Sequence, residues 1–371
     1  MAKVLIACVG GFLGAGKTTT LQRAAAEFAN RGLKVGVITN DQGAGLVDTE
    51  ALRSKGFLTE EITGGCFCCR FDELVETAGA LIRQERPDVI LAEAVGSCTD
   101  LSATVYQPLR QYYPETFSLA PLTIVVEPER IRSLREGGET TFPDSVRYLF
   151  RKQLAEADLI LLNKLDTLGA GEERALTRWL ADEIGDVPIL PISALSGVGV
   201  PEWIDRMLAG GPAGTRLLEI DYQTYADAEA ALGWLNATVA ISSDQPFQPR
   251  DIAETFMRRA HAHANAVGMG VAHLKAMVAS GKASDRIALT DGGGVPQWTG
   301  TGIFPTAQTA SLIINARMGA QPQSLTELVE TALAQSADAL GVKATVSHIE
   351  CFTPSPPTPV HRFDVLAEAV A

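Results

Sequence analysis

The chain has 371 residues, 46% hydrophobic and 20% charged, with a formal net charge of −13. That length exceeds one ordinary core and predicts two domains, and the composition is that of a globular chain. The acidic balance, without a basic stretch interleaved with aromatics, argues against a nucleic-acid partner, and no apolar run approaches the roughly 18 residues a bilayer crossing needs.

Residues 4–9 form the first apolar run and read as a buried strand, not as a cleavable leader. It feeds GGFLGAGKTTT at residues 10–20, where Gly11-x-x-x-x-Gly16-Lys17-Thr18 fits the Walker A pattern. Gly11, Gly14, Ala15 and Gly16 build a loop whose backbone N–H groups converge on a β-phosphate, because glycine accepts conformations that a Cβ forbids. Lys17 is placed to reach the β- and γ-phosphates, and Thr18 to ligate Mg²⁺. A helix over 18–30 points its positive end at the anion.

A second strand over 35–39 leads into the segment NDQGAGLVD at 40–48. Asp48 is there either to orient an attacking water or support Mg²⁺ from its outer sphere, or as a solvated loop aspartate. Next comes Gly64-Gly65-Cys66-Phe67-Cys68-Cys69-Arg70. Three thiols within four residues suit a soft or borderline ion such as Zn²⁺, Co²⁺ or Cu⁺. With no second CxxC to close a structural site, three thiolates, or two with a carboxylate such as Asp41, leave a position open for exchange. Buried inert thiols or a redox pair are the plainer alternatives. Six cysteines so arranged do not resemble a secreted disulfide framework, and predict a reducing cytoplasm.

A helix over 71–84 and the breaker Pro87-Asp88 precede a strand at 89–92, which ends in Glu93-Ala94-Val95-Gly96. Glu93 is a candidate for holding Mg²⁺ through a bound water, and the Gly96 N–H for meeting the γ-phosphate. Cys98 follows closely and is either a core thiol or a further ligand, while Cys8 reads as core. Strands at 122–126 and 159–162 come next, and the second runs into Asn163-Lys164-Leu165-Asp166. An aspartate there accepts from guanine N1–H and N2–H₂. Adenine offers neither donor and leaves the carboxylate unpaired. The Lys164 stem covers the base, Asn163 braces the loop, and Ser193-Ala194-Leu195 after a strand at 189–192 offers a backbone N–H to guanine O6.

Strands alternating with helices over the first 208 residues predict an α/β domain, a P-loop parallel sheet with helices on both faces. The glycine-rich 209–214 reads as a linker to a smaller α+β domain over 216–371. The pattern changes there: 217–221, a long apolar stretch at 232–241, a helix near 251–266, strand-like runs at 270–278, 286–290 and 312–316, a helix near 325–340 and a final strand at 344–349. Two helices among these strands predict a ferredoxin-like sandwich with an extra hairpin. A turn is expected at 291–294 and an extended tail at 354–359. His261 and His263 are two apart on a helix, so their side chains diverge; nothing in the spacing of His348, Cys351 and His361 demands a common ligand.

In this order, GGFLGAGKTTT, NDQGAGLVD, GGCFCC, ExxG and NKLD resemble the CobW-type GTPases, relatives of the nickel-enzyme maturation factors HypB and UreG. The resemblance covers about the first 200 residues. It implies a slow GTPase that binds a transition metal, Zn²⁺ or Co²⁺, at CxCC and delivers it to a client metalloprotein or cofactor-biosynthesis enzyme, with nucleotide-dependent dimers. It also implies that Gly14, Gly16, Lys17, Thr18 and Thr19 hold phosphate and Mg²⁺. Asp48 and Glu93 fall in switch and catalytic elements, Asn163 and Asp166 read guanine, and Cys66, Cys68 and Cys69 hold the metal. The chain departs from the family in having Asp41 where Asn-Glu-x-Gly is common, in lacking a histidine-rich stretch, and in carrying Ala94 and Cys98 around the ExxG element. The rival expectation is a GTPase acting as a conformational chaperone for a cofactor-dependent, for example corrinoid, enzyme without metal transfer. A small-molecule kinase would leave NKLD unexplained.

Overall fold

The computed structural model describes residues 3–43, 47–136, 144–290, 294–300 and 302–367. Part of the expected 40–48 segment (44–46) and most of the expected 291–294 turn (291–293) lie outside the described residues.

Strand β1 (Val4–Gly10) enters the glycine loop and helix α1 (Lys17–Asn30) leaves it. Then follow β2 (Val35–Asn40), α2 (Val47–Arg53), β3 (Leu58–Ile62), α3 (Phe71–Glu85) and β4 (Val89–Glu93). A π-helical turn at Ser102–Tyr106 runs into α4 (Gln107–Tyr112), then β5 (Phe117–Leu119), β6 (Thr123–Val126), α5 (Pro128–Glu136) and α6 (Asp144–Glu156). The series continues with β7 (Leu159–Leu162), α7 (Glu172–Ile184), β8 (Ile189–Pro191) and α8 (Val200–Ala209). The strands lie in the order β3-β2-β4-β1-β6-β7-β8, every pairing parallel, with the short β5 beside β1. β4, β6 and β7 are buried at every position, as a sheet covered on both faces requires.

Residues 217–221, where the pattern changes past the linker, are irregular. Asp221 instead caps α9 (Tyr222–Ala230), accepting from the Gln223 and Thr224 N–H groups at 2.9 and 3.3 Å. Tyr225, Ala228 and Leu232 join the core built around Phe71, Ile124 and Ile160, so the chain past the glycine-rich linker stays with the first unit until β9.

From there β9 (Gly233–Phe247), α10 (Pro249–Ala266), β10 (Val271–Ser280), β11 (Ala283–Thr290), β12 (Gln297–Trp298), β13 (Ala307–Met318), α11 (Pro322–Leu340) and β14 (Lys343–Phe352) make an antiparallel sheet ordered β12-β11-β10-β13-β9-β14. Strands β9, β10, β13 and β14 with the two helices follow a split β-α-β order, and β11–β12 are the added hairpin at the edge beside β10. Leu274, Ala276, Ile287, Leu289, Ile314 and Ala316 form one face and pack with α10 and α11 in a second core. The other face turns toward the parallel sheet. Residues 353–367 run back across the first unit without helix or strand. Val360 N–H donates to Cys68 O at 2.9 Å, Phe363 N–H to Ala103 O at 3.1 Å, and Arg362 pairs with Asp100 at 2.8 Å.

Candidate nucleotide and metal site

The glycine loop fills the turn between β1 and α1. Gly16 has φ of +94°, and a Cβ there would lie 2.4 Å from the Asn163 amide nitrogen, so only glycine lets the loop meet the later NKLD segment. Lys17 Nζ bridges Gly11 O at 2.7 Å and Phe12 O at 3.3 Å, folding its cation over the loop. Burial lowers the Lys17 pKa, opposed first by Glu93. Thr18 Oγ1 donates to Glu93 Oε1 at 2.9 Å, which joins the first turn of α1 to the end of β4. Glu93 is buried, its Oε2 has no partner, and burial followed by the Asp48 charge pushes its carboxyl up to about 7. A buried, unpaired carboxylate oxygen beside a threonine hydroxyl is a donor set that fits a hard dication such as Mg²⁺.

Asn163 joins three loops of the site. It donates to Ala15 O and accepts from Ala194 N–H, both at 2.9 Å, tying the phosphate loop to the loops beyond β7 and β8. Ser193 Oγ donates to Asp166 Oδ1 and orients that carboxylate. Lys164 adopts a left-handed conformation (φ of +61°) and pairs with Glu127. The Ser193 N–H goes to Val198 O and the Ala194 N–H to Asn163 Oδ1, so both are engaged within the chain.

A cavity of about 350 Å³ joins these parts, a size ordinary for a small-molecule site. Gly14, Gly16, Lys17, Thr18, Thr19 and Glu93 line it at the glycine loop, and Asn163, Lys164, Asp166 and Ala194 at the NKLD loop, with Asp41, Asp48 and Gly96 also in its wall. Gly11, Ala15, Ser193 and the cysteines do not line it; the first three act through Lys17, Asn163 and Asp166.

Asp48 is not a solvated loop residue. Lys275 Nζ at 2.5 Å and Arg286 Nη1 at 2.9 Å grip its two oxygens. Burial alone would raise its pKa, but these two cations hold it well below the usual carboxylate range, so it is a poor general base. Asp41 is likewise taken: the fully buried Arg317 donates to its Oδ1 at 2.8 Å. The expectation that Asp41 lies with the cysteines is therefore not met; a buried guanidinium needs a carboxylate and captures the nearest one. Sequence reasoning missed His273, Lys275, Arg286 and Arg317 altogether. The signal present was polar residues at alternate positions 273 and 275 of an otherwise apolar strand.

Cys66, Cys68 and Cys69 crowd together between β3 and α3, all sulfurs within 4.8 Å of one another and the closest pair, Cys66 and Cys68, at 2.8 Å. The Cys66 contact, then burial, pushes the Cys69 thiol up to about 11, while contacts from Cys66 and Cys68 hold buried Cys98 down to about 6. Thr358 N–H from the C-terminal tail donates to Cys69 Sγ at 3.2 Å. Cys8 is a core thiol pushed up to about 12 by burial, and His361 packs between Phe71 and Tyr112 at 5.2 Å from each ring. Among the described residues, the three cysteines are the only metal-ligand cluster.

The model of the CobW/HypB/UreG nucleotide-binding domain matches residues 5–190, half of the chain. This chain belongs to the CobW/HypB/UreG family. Among curated relatives, the zinc chaperone YeiR of Escherichia coli (strain K12) is 32% identical over 186 residues, covering 48% of this chain and 52% of YeiR. The zinc chaperone CobW of Pseudomonas aeruginosa is 30% identical over 219 residues, covering 51% of this chain and 55% of that protein. The chain thus spans about half the length of the curated relatives it matches. Among solved structures, HypB from Helicobacter pylori in complex with nickel is 17% identical, with a TM-score of 0.40 over 56% of this chain and 86% of that one. Zn(II)-bound YjiA GTPase from E. coli is 15% identical, with a TM-score of 0.36 over 90% of this chain and 99% of that one. Among the described residues, no helix is long and apolar enough to cross a membrane.

Proposed function

We propose that this family member is a cytoplasmic GTPase that carries a transition metal, Zn²⁺ or Co²⁺, on Cys66, Cys68 and Cys69 and hands it to a client metalloprotein or cofactor-biosynthesis enzyme, in a nucleotide-dependent homodimer. The observation that carries the reading is the direct bonding between the two sites. Asn40, which lines the nucleotide cavity, donates to Ile62 O at 3.0 Å and to Gly65 O at 2.7 Å, the carbonyl immediately before Cys66. Gly64 N–H also donates to Gln42 O at 3.2 Å. A change at the end of β2 or in the loop after it is thereby passed to the cysteine loop through the Asn40 side chain and one backbone bond. Zinc-chaperone relatives make a metal cargo the natural reading of three adjacent thiols.

In this reading Lys17 and the loop N–H groups hold the β-phosphate, Asp166 reads the guanine edge, and Asn163 keeps both halves of the site in register. Thr18 and Glu93 would hold Mg²⁺, which supplies charge neutralisation on the phosphates. A nucleotide shifts metal affinity only through its different affinities for the two states, so GTP and GDP must change metal binding.

The test is anaerobic Zn²⁺ and Co²⁺ affinity with Mg²⁺–GDP and with a non-hydrolysable GTP analogue, beside a Cys66→Ser, Cys68→Ser, Cys69→Ser variant. A difference of about tenfold or more between nucleotide states, lost in the variant, is expected. Equal affinities, or binding that survives the substitutions, overturn metal transfer and favour a GTPase that acts on its client by conformation alone.

A further inference from the structure

The face of the antiparallel sheet that turns away from α10 and α11 is polar where it meets the nucleotide cavity. His273 and Lys275 alternate on β10 and lie opposite Thr290 and Ala288 of β11, and Arg286 lies two positions along the same strand, so these five side chains share that face. All five line the cavity. The contact is close: a Cβ on Gly14 of the phosphate loop would lie 2.4 Å from Thr290 Cγ2. Arg286 Nη2 donates to Thr19 Oγ1 at 3.0 Å, one residue from the Thr18 that meets Glu93.

Two features indicate a ligand here and not a simple tether. His273 is 4% exposed and both its ring nitrogens are without a partner, although it lines a cavity large enough for a small molecule. Such a group is costly unless something in the cavity satisfies it. The second feature is charge. Lys275 and Arg286 together carry two positive charges against the single Asp48 carboxylate that both grip.

We propose that Lys275 and Arg286 are the terminal-phosphate ligands of this protein, supplied in cis by the second domain, with Asp48 occupying their cationic grip until a γ-phosphate shares or takes it. His273 adds a neutral hydrogen-bonding group beside them. The inference rests on the reading of a guanine nucleoside triphosphate as the ligand, and deepens it by assigning the γ-phosphate contacts. In hydrolysis the water oxygen bonds to the γ-phosphorus as the bond from that phosphorus to the β–γ bridging oxygen breaks. The electron pair stays on GDP and a water proton leaves with phosphate. Cations at the equatorial oxygens meet the charge spread over the transferring group. Loss of that group returns the pair to Asp48 in the first turn of α2, so the second domain senses which nucleotide is bound.

The experiment compares Mg²⁺–GDP and Mg²⁺–GTPγS affinity, and single-turnover GTP hydrolysis, in the full chain and in Lys275→Gln, Arg286→Gln and Arg286→Lys variants. GTPγS affinity should fall about tenfold or more in the glutamine variants with GDP affinity nearly unchanged, and hydrolysis should slow by ~10²-fold or more, with partial recovery in Arg286→Lys. GDP binding reports folding. An unchanged ratio of GTPγS to GDP affinity in variants that bind both overturns the inference alone, because guanine-nucleotide binding then stands without these residues. Equal loss of both nucleotides makes the pair a domain tether and also overturns it. Failure of the unaltered chain to bind either nucleotide removes the GTPase reading and the inference together.

Discussion

The two sheets meet the same cavity in opposite ways. The parallel sheet contributes only at its carboxyl edge: Asn40 and Glu93 are the last residues of β2 and β4, and its other groups stand in the loops and helix start beyond β1, β7 and β8. This is where an open α/β sheet leaves a crevice, since the strands are buried on both faces. The antiparallel sheet contributes from mid-strand, with one face packed on helices and the alternate residues aimed at the cavity. A loop site needs special backbone geometry and therefore writes a motif. A strand-face site needs only side chains of the right sign at every second position, and writes almost none.

Breaking the loop half should have the largest effect. Glu93→Gln keeps the shape but removes the charge beside Thr18, and single-turnover GTP hydrolysis should fall by ~10²-fold or more as metal-assisted charge stabilisation is lost. A loss below about tenfold would put the dication elsewhere. Next is base reading. Asp166→Asn should weaken GTP by ~10²-fold and favour xanthosine triphosphate, whose C2 carbonyl accepts from the new amide; competition binding of GTP, ATP and XTP checks this.

The strand-face half is sharpened by Asp41→Asn. It leaves the fully buried Arg317 with the neutral acceptors Leu235 O, Asn236 Oδ1 and Ala316 O. Thermal and denaturant unfolding should show a loss of about 3 kcal/mol. Metal affinity at the cysteines should stay at the unaltered value; lost affinity with unchanged stability would return Asp41 to the metal site.

The smallest effect is that of pH. The Glu93 carboxyl, pushed up to about 7, must be charged to hold Mg²⁺, so protons compete with the dication and Mg²⁺-dependent nucleotide affinity should decline as pH falls through about 7. Asp48, held low by Lys275 and Arg286, stays charged across that window and adds nothing. Metal binding at the cysteines should also strengthen with rising pH, because the Cys69 thiol at about 11 must lose its proton. Isothermal titration at several pH values in two buffers separates proton release from affinity.

The sequence by itself marked out the glycine loop, the NKLD loop, the ExxG element and the cysteine triplet. Each depends on residues a few positions apart, where glycine conformation and ligand spacing are local matters. It also placed the long buried strands and the two helices of the second domain, whose periodicity reflects one apolar face. It missed β3, β5 and β12, short strands with charged or exposed positions, and helix α9, which the Asp221 cap starts. Tertiary structure alone decided that Asp41 and Asp48 belong to Arg317, Lys275 and Arg286. Those partners lie more than 200 residues away and come within reach only when the antiparallel sheet is laid against the loops. Electrostatic pairing depends on distance in space, and a linear pattern of residues carries no record of which strand face will be turned toward which loop.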